Sequence, residues 1–151
     1  MFGRSREDRG ASAVEFALVL LPLLTIVFGL IQYGLYFWSA QTGSNAVHAA
    51  ARQLSVGNCD TDAELTSFVT SQLGAAAVSV DTPGRTYYDV DGSTPLGDQA
   101  PAAKIGGTVE VTIEFDTLNL NFPFVPFLDD PKISRSVVAR VEDTTDQGCP
   151  A

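Results

Sequence analysis

Basic residues are scarce in this chain. Nine Lys and Arg stand against eighteen Asp and Glu, a formal net charge of −9 over 151 residues. From Gly57 onward the imbalance is steeper: five basic residues (Arg85, Lys104, Lys132, Arg135 and Arg140) face fifteen acidic ones. Such a surface repels phosphate backbones, so nucleic acid is excluded as an expected partner. It is also repelled by anionic lipid headgroups. Histidine is down to one, His48, and cysteine to two, Cys59 and Cys149. One His does not build a typical zinc site with two cysteines that are expected to pair with each other. No phosphate loop or dinucleotide fingerprint occurs. No nucleophile elbow surrounds Ser44 or Ser79, so nothing marks His48 as their base, and it reads as a helix-surface or packing residue. Asp89-Val90-Asp91-Gly92-Ser93 has a calcium-loop flavour, but the Gly comes too early and Ala100 stands where a closing Glu belongs. It reads as a turn after a strand. No catalytic, cofactor-binding or metal residue is assigned, and no small-molecule substrate is expected.

Charge is also absent from Phe16 to Ala51. Within that stretch Phe16 to Trp38 is almost wholly apolar, and its roughly 23 residues span about 34 Å as a helix, enough for a hydrocarbon core. Tyr33, Tyr36, Phe37 and Trp38 form an interfacial aromatic belt at its far end. Pro22 removes one helical hydrogen bond, to the Leu18 carbonyl, and predicts a kink. Gly29 and Gly34 offer softness or close packing, as do small residues four apart at Ser39/Gly43, Ala40/Ser44 and Ala46/Ala50. Val47, Ala50, Ala51 and Leu54 continue the helical spacing, and Gly57-Asn58 supplies the stop. One helix over about residues 12–55 is expected, its last third outside the bilayer; the alternative is a spanning helix followed by a separate short one. The run is too long, and too bulky at its end, for an ordinary signal peptide, although Ala49-Ala50-Ala51 is a cleavable sequence.

Arg4, Arg6 and Arg9 precede the apolar run, and no basic residue follows it until Arg52. The expected orientation is N-terminus cytoplasmic and C-terminal domain extracytoplasmic. Outside the cytoplasm Cys59 and Cys149 are expected to form a disulfide, two unpaired thiols being the alternative.

Glu15 is the one charge at the head of the apolar run. A carboxylate there is costly unless it is used. If the chain is cut after Gly10, the new ammonium of Ala11 and the Glu15 carboxylate lie about one helical turn apart. The carboxylate then meets the positive end of the helix dipole, or the ammonium of a neighbouring subunit, which would favour one register of helix against helix. The plain alternative is a solvated glutamate at the interface.

Arg9-Gly10, Ala13-Val14-Glu15-Phe16-Ala17-Leu18-Val19-Leu20, Pro22, Gly29, Tyr33-Gly34 and Ala46 to Arg52 together resemble the TadE-like minor pilins, or pseudopilins, of the tight-adherence (Tad/Flp, type IV pilus-like) system. The resemblance covers residues 9–52. It implies cleavage between Gly10 and Ala11 by a membrane aspartyl prepilin peptidase. It also implies a role in assembling Flp-type pili for adhesion, with Glu15 and Phe16 serving subunit assembly and helix register. The implied partners are the membrane, the prepilin peptidase, other pilin subunits and the Tad assembly machinery. Gln32 departs from the pattern, since members often carry an acid before the aromatic-Gly pair.

Three parts are expected: a cytoplasmic leader over 1–10, a long helix over 11–56 with its transmembrane segment at 16–38, and an extracytoplasmic domain over 57–151. In that domain Thr61-Asp62-Ala63-Glu64 has capping-box spacing ahead of a helix over about 62–74. Strands are expected at Val78–Val80 and Thr86–Val90, and a long loop over 92–107. Val109, Val111, Ile113 and Phe115 alternate with Glu110, Thr112 and Glu114, a strand with one buried face. Residues 133–142 are similar, with Val137, Ala139 and Val141 inward; antiparallel pairing would let Arg140 meet Glu110 or Glu114. The fold class is α+β, a long N-terminal helix followed by a small antiparallel sheet and a short helix. Between the last two strands, Leu118 to Leu128 is apolar and broken by prolines. Its plainest use is to cover the sheet; contact with the upper helix or with a partner subunit are the alternatives. Two competing functional classes remain open: an uncleaved, single-pass anchored binding module, and a membrane-tethered hydrolase.

Overall fold

A computed structural model describes residues 6–59, 61–98, 103–122, 132–145 and 148–149. The fold is α+β, as expected. The chain divides into two units, residues 1–34 with 119–129, and residues 35–118 with 130–151.

Helix α1 runs over Arg6–Ser55 as one helix. It starts six residues earlier than its apolar pattern predicts. Nothing in residues 6–11 except Gly10 opposes helix, so the turn propagates outward past the apolar run. Its end is where the sequence puts it. Gly57 takes φ 78°, and its N–H and that of Asn58 donate to the carbonyls of Leu54 and Gln53. A Cβ on Gly57 would meet the Thr144 backbone at 2.9 Å, so close approach of the C-terminal segment also requires glycine.

In the second unit, α2 (Asp62–Leu73) begins with the expected capping box: the Glu64 N–H donates to Thr61 Oγ1, and the Thr61 N–H donates to the Glu64 carboxylate. A short 3-10 turn over Gly74–Ala76 follows. The sheet contains β1 (Ser79–Val80), β2 (Gly84–Tyr88), β3 (Pro95–Gly97), β4 (Thr108–Asp116) and β5 (Lys132–Arg140). β4 is central. It pairs antiparallel with β5 on one side and with β2 and β1 in succession on the other, and β3 hydrogen-bonds beyond β2. β1 and β2 act as one strand interrupted at Asp81-Thr82-Pro83. Their register on β4 slips by one residue there, from Val80 opposite Phe115 to Gly84 opposite Thr112. Proline cannot donate to the ladder, so a bulge is where it is tolerated.

Three expectations are corrected. The stretch 92–107 holds a strand, β3, where only a loop was expected; three residues starting at Pro95 are too short to show a period, and proline is tolerated on an edge. The second predicted strand is shifted and covers Gly84–Tyr88. Arg140 stands opposite Thr108, with Glu110 opposite Val138 and Glu114 opposite Ser134. Among the described residues no ion pair joins Arg140 to either glutamate. Glu110 instead accepts a hydrogen bond from the Tyr88 hydroxyl at 3.1 Å.

The core lies on one face of the sheet. Val109, Val111, Ile113 and Phe115 of β4 are fully buried, joined by Tyr87 and Ile133. Against them pack Ala46, Val47, Ala50, Ala51 and Leu54 of α1, and Leu65, Phe68, Val69 and Leu73 of α2. The α1 side of this core is built largely of alanine. That brings the helix backbone close to the sheet, and Gly43 marks the tightest point. A Cβ there would lie 2.6 Å from the Phe115 ring.

Candidate assembly segment and membrane anchor

Gly10, Ala11, Glu15 and Phe16 all lie on the first turns of α1, and the Gly10–Ala11 peptide is part of the helix. Glu15 is exposed, and Phe16 is 67% exposed. Among the described residues no ion pair includes Glu15. Leu18, Val19, Leu21, Ile26 and Leu30 are exposed as well. Between Ser12 and Ser55 the helix is long and apolar enough to cross a membrane once, and among the described residues none in its apolar window is buried. By length and composition this helix suggests a single-pass anchor. The Thr25 hydroxyl donates to the Leu21 carbonyl at 3.0 Å, which hides its polar group within the helix.

The small residues of α1 divide into two groups. A Cβ at Gly29 or Gly34 would meet nothing within 4 Å. Ser39, Gly43, Ala46 and Ala50 are buried, and their spacing serves packing on this chain's own sheet. His48 is exposed on the same helix. Among the described residues no group of His, Cys, Asp and Glu side chains could hold a metal ion.

Within the first unit, the described part of the proline-broken segment meets α1, one of the expected alternatives. Its described part reaches Phe122, and residues 123–128 lie outside the described residues. The Phe122 ring stacks on Phe28 of α1, with centroids 4.6 Å apart and planes at 10°. The Leu120 N–H donates to Oε1 of Gln32 at 3.0 Å, and Gln32 is 2% exposed. These residues therefore pack on the apolar part of α1. Gln32, an anomaly in the sequence pattern, has a local role: buried itself, it supplies an acceptor to a loop amide.

In the second unit, Cys59 and Cys149 form a disulfide across 90 residues, with Cα atoms 4.5 Å apart. Cys59 is buried and takes φ 61°, an uncommon conformation for a residue with a Cβ. Arg85 helps to hold it there. Its guanidinium is buried and donates to the Cys59 carbonyl at 3.1 Å, the Asp98 carbonyl at 2.7 Å and Asp62 Oδ1 at 2.9 Å. Composition alone counts Arg85 as one more surface charge. The only hint in the sequence is its alternation with Tyr87, which puts it on the buried face of β2.

The Asp89–Thr94 stretch is a turn, as expected. Gly92 takes φ 71°. Asp91 accepts from the hydroxyl and N–H of Thr94 and from the N–H of Ser93, which holds its carboxyl far below the usual range. Asp89 is lowered by Lys104, which donates to it at 2.7 Å. Thr144 and Thr145 lower Asp143 in the same manner, Thr145 most. All three carboxylates are occupied within their own turns or by a neighbouring ammonium.

No curated protein and no solved structure matches the chain. A family model described as TadE-like protein matches residues 10–52. That match takes in Gly10, Ala11, Glu15, Phe16, the apolar span and Gln32, and stops at Arg52; over this N-terminal segment the chain is similar to the TadE-like family.

Proposed function

We propose that this chain is a minor pilin, or pseudopilin, of a Tad/Flp-type pilus system, cut between Gly10 and Ala11 by a prepilin peptidase. The observation that carries the reading is the family match over residues 10–52, which starts at the proposed cleavage site and covers Glu15 and the whole apolar span. In this reading residues 1–10 are a cytoplasmic leader, α1 crosses the membrane over 16–38, and the domain from 57 to 151 lies outside the cytoplasm. The charge pattern supports the orientation, with Arg6 and Arg9 before the span and none after it until Arg52. The disulfide supports an oxidising compartment.

Cleavage would turn an interior helical residue into a first-turn one. In the full chain Glu15 lies nine residues into α1. A helix starting at Ala11 puts its carboxylate near the four free N–H groups and the new ammonium. That ammonium, or one from a neighbouring subunit, neutralises Glu15 where an unpaired charge is expensive. The exposed Phe16 and its apolar neighbours then offer the surface on which subunit helices pack. The role is structural and not catalytic, and its use is pilus assembly for adhesion.

The test is complementation in cells that lack the protein. Glu15→Ala is expected to enter the membrane in normal amounts and to leave the cells without surface pili. Glu15→Asp, which keeps the charge, should restore part of the piliation. Full piliation with Glu15→Ala, or full piliation without the protein, would contradict the proposal.

A further inference from the structure

We infer that the first part of the β4–β5 connection is a second membrane element: over Leu120–Phe122 it lies in the acyl-chain region beside α1 and contacts lipid there. This rests on the reading that α1 spans the bilayer. Two contacts set the depth. Leu120 meets α1 at Gln32, and Phe122 meets it one turn further from the aromatic belt, at Phe28. The segment therefore descends along the helix. Phe28 precedes Trp38 by ten residues, which is about 15 Å at the helical rise. That is roughly half of a hydrocarbon core about 30 Å thick, so a ring stacked on Phe28 lies near the bilayer midplane.

The chemistry of the segment fits that depth. No charged residue occurs from Thr117 to Leu128, while Asp116 and Asp129 bracket it. Non-helical backbone in hydrocarbon must have its amides satisfied internally. The Leu120 N–H has Gln32, and the Asn121 N–H donates to Asn119 Oδ1 at 2.9 Å. A loop bound for water has no need of such economy. Leu120 remains 38% exposed, beside the lipid-facing apolar residues of α1. The occupant of this surface is the lipid acyl chain, because the neighbouring surface of α1 is itself apolar and uncovered.

The test uses the full chain in phosphatidylcholine vesicles. Trp38, the one natural tryptophan, is replaced by Phe, and single-tryptophan probes F122W, L120W, L24W and V138W are compared. Quenchers are lipids brominated at mid-chain and aqueous iodide. F122W and L24W are expected to lose most of their emission in brominated lipid and little in iodide, and V138W the reverse. L120W gives the same readout should F122W disturb the ring stack. Quenching of both loop probes by iodide would place the loop in water. Quenching by neither would place it under protein, such as a second copy of this chain. Either result overturns the inference while quenching of L24W leaves the spanning helix intact. If L24W also escapes brominated lipid, the spanning reading fails and this inference falls with it.

Discussion

Replacing Gly43 with alanine sets two effects of known sign against each other. In an exposed helix interior the change favours the folded state by about 1 kcal/mol. Here the new Cβ would lie 2.6 Å from Cε1 and Cζ of Phe115 and 3.8 Å from Cγ of Arg135. Carbon atoms prefer 3.5–4.0 Å, so the ring must retreat by roughly 1 Å. Phe115 is fully buried in the helix–sheet core and has no open side to retreat into. Overpacking of this kind costs about 1–3 kcal/mol. The net expectation for Gly43→Ala is a loss of about 1 kcal/mol, read as a fall of roughly 5 °C in the thermal midpoint. The assay is thermal unfolding of the full chain in detergent micelles, followed by near-ultraviolet circular dichroism. Phe115→Leu removes the ring atoms that clash, so in that background Gly43→Ala should turn neutral or stabilising. Coupling between the two sites should exceed about 0.5 kcal/mol. A midpoint that rises with Gly43→Ala alone, and no coupling to Phe115, would refute the packing argument. Gly43 would then be a free small residue, available to another helix.

Three further outcomes follow from the same structure. Cys149→Ser should destabilise by about 4–5 kcal/mol on the chain-entropy model, since the bond closes a loop of some 90 residues; reduction of the wild type should reproduce the loss in the same melting assay. Arg85→Met should cost about 1–3 kcal/mol, chiefly by leaving the buried Cys59 carbonyl without a donor. The Asp62 pair itself contributes little to that figure, because the Asp62 side chain is 60% exposed. The acid limb of stability should come from Asp89, Asp91 and Asp143. Their carboxyls are depressed in the folded state by hydrogen bonds, and for Asp89 by Lys104, so they stabilise above the unfolded value of 3.8 and lose that contribution as pH falls through the folded values. Melting midpoints should hold between pH 5 and 8 and fall below pH 4. At the alkaline end Lys132 is raised by Asp81 and Tyr88 by Glu110, so their contributions are lost as pH rises through the raised values.

Much of the fold was legible because its signals are local. The capping box at Thr61–Glu64, the stop at Gly57 and the strict alternation of Thr108–Asp116 each depend on neighbours within a few residues. The candidate site was legible for a different reason: a single carboxylate at the head of an uncharged span is conspicuous wherever it occurs. What the sequence hid depends on distant partners. The burial of Arg85 requires the Cys59 carbonyl 26 residues away, and the role of Gln32 requires an amide 88 residues away. No periodicity records such pairs. Small residues four apart are equally ambiguous. Gly43 and Ala46 look like a helix–helix seam, and the structure uses them to seat α1 on its own sheet. The start of α1 is not marked in the sequence, because an apolar run does not show where a helix's hydrogen bonds begin.

The central claim is that this chain is processed for assembly. It is tested most directly by the N-terminus of the protein purified from its own membrane, determined by intact mass and terminal sequencing, in cells with and without the prepilin peptidase. The account predicts a chain that begins at Ala11 when the peptidase is present and retains residues 1–10 when it is absent. A chain that keeps its leader in both would contradict it and favour an uncut, anchored binding module.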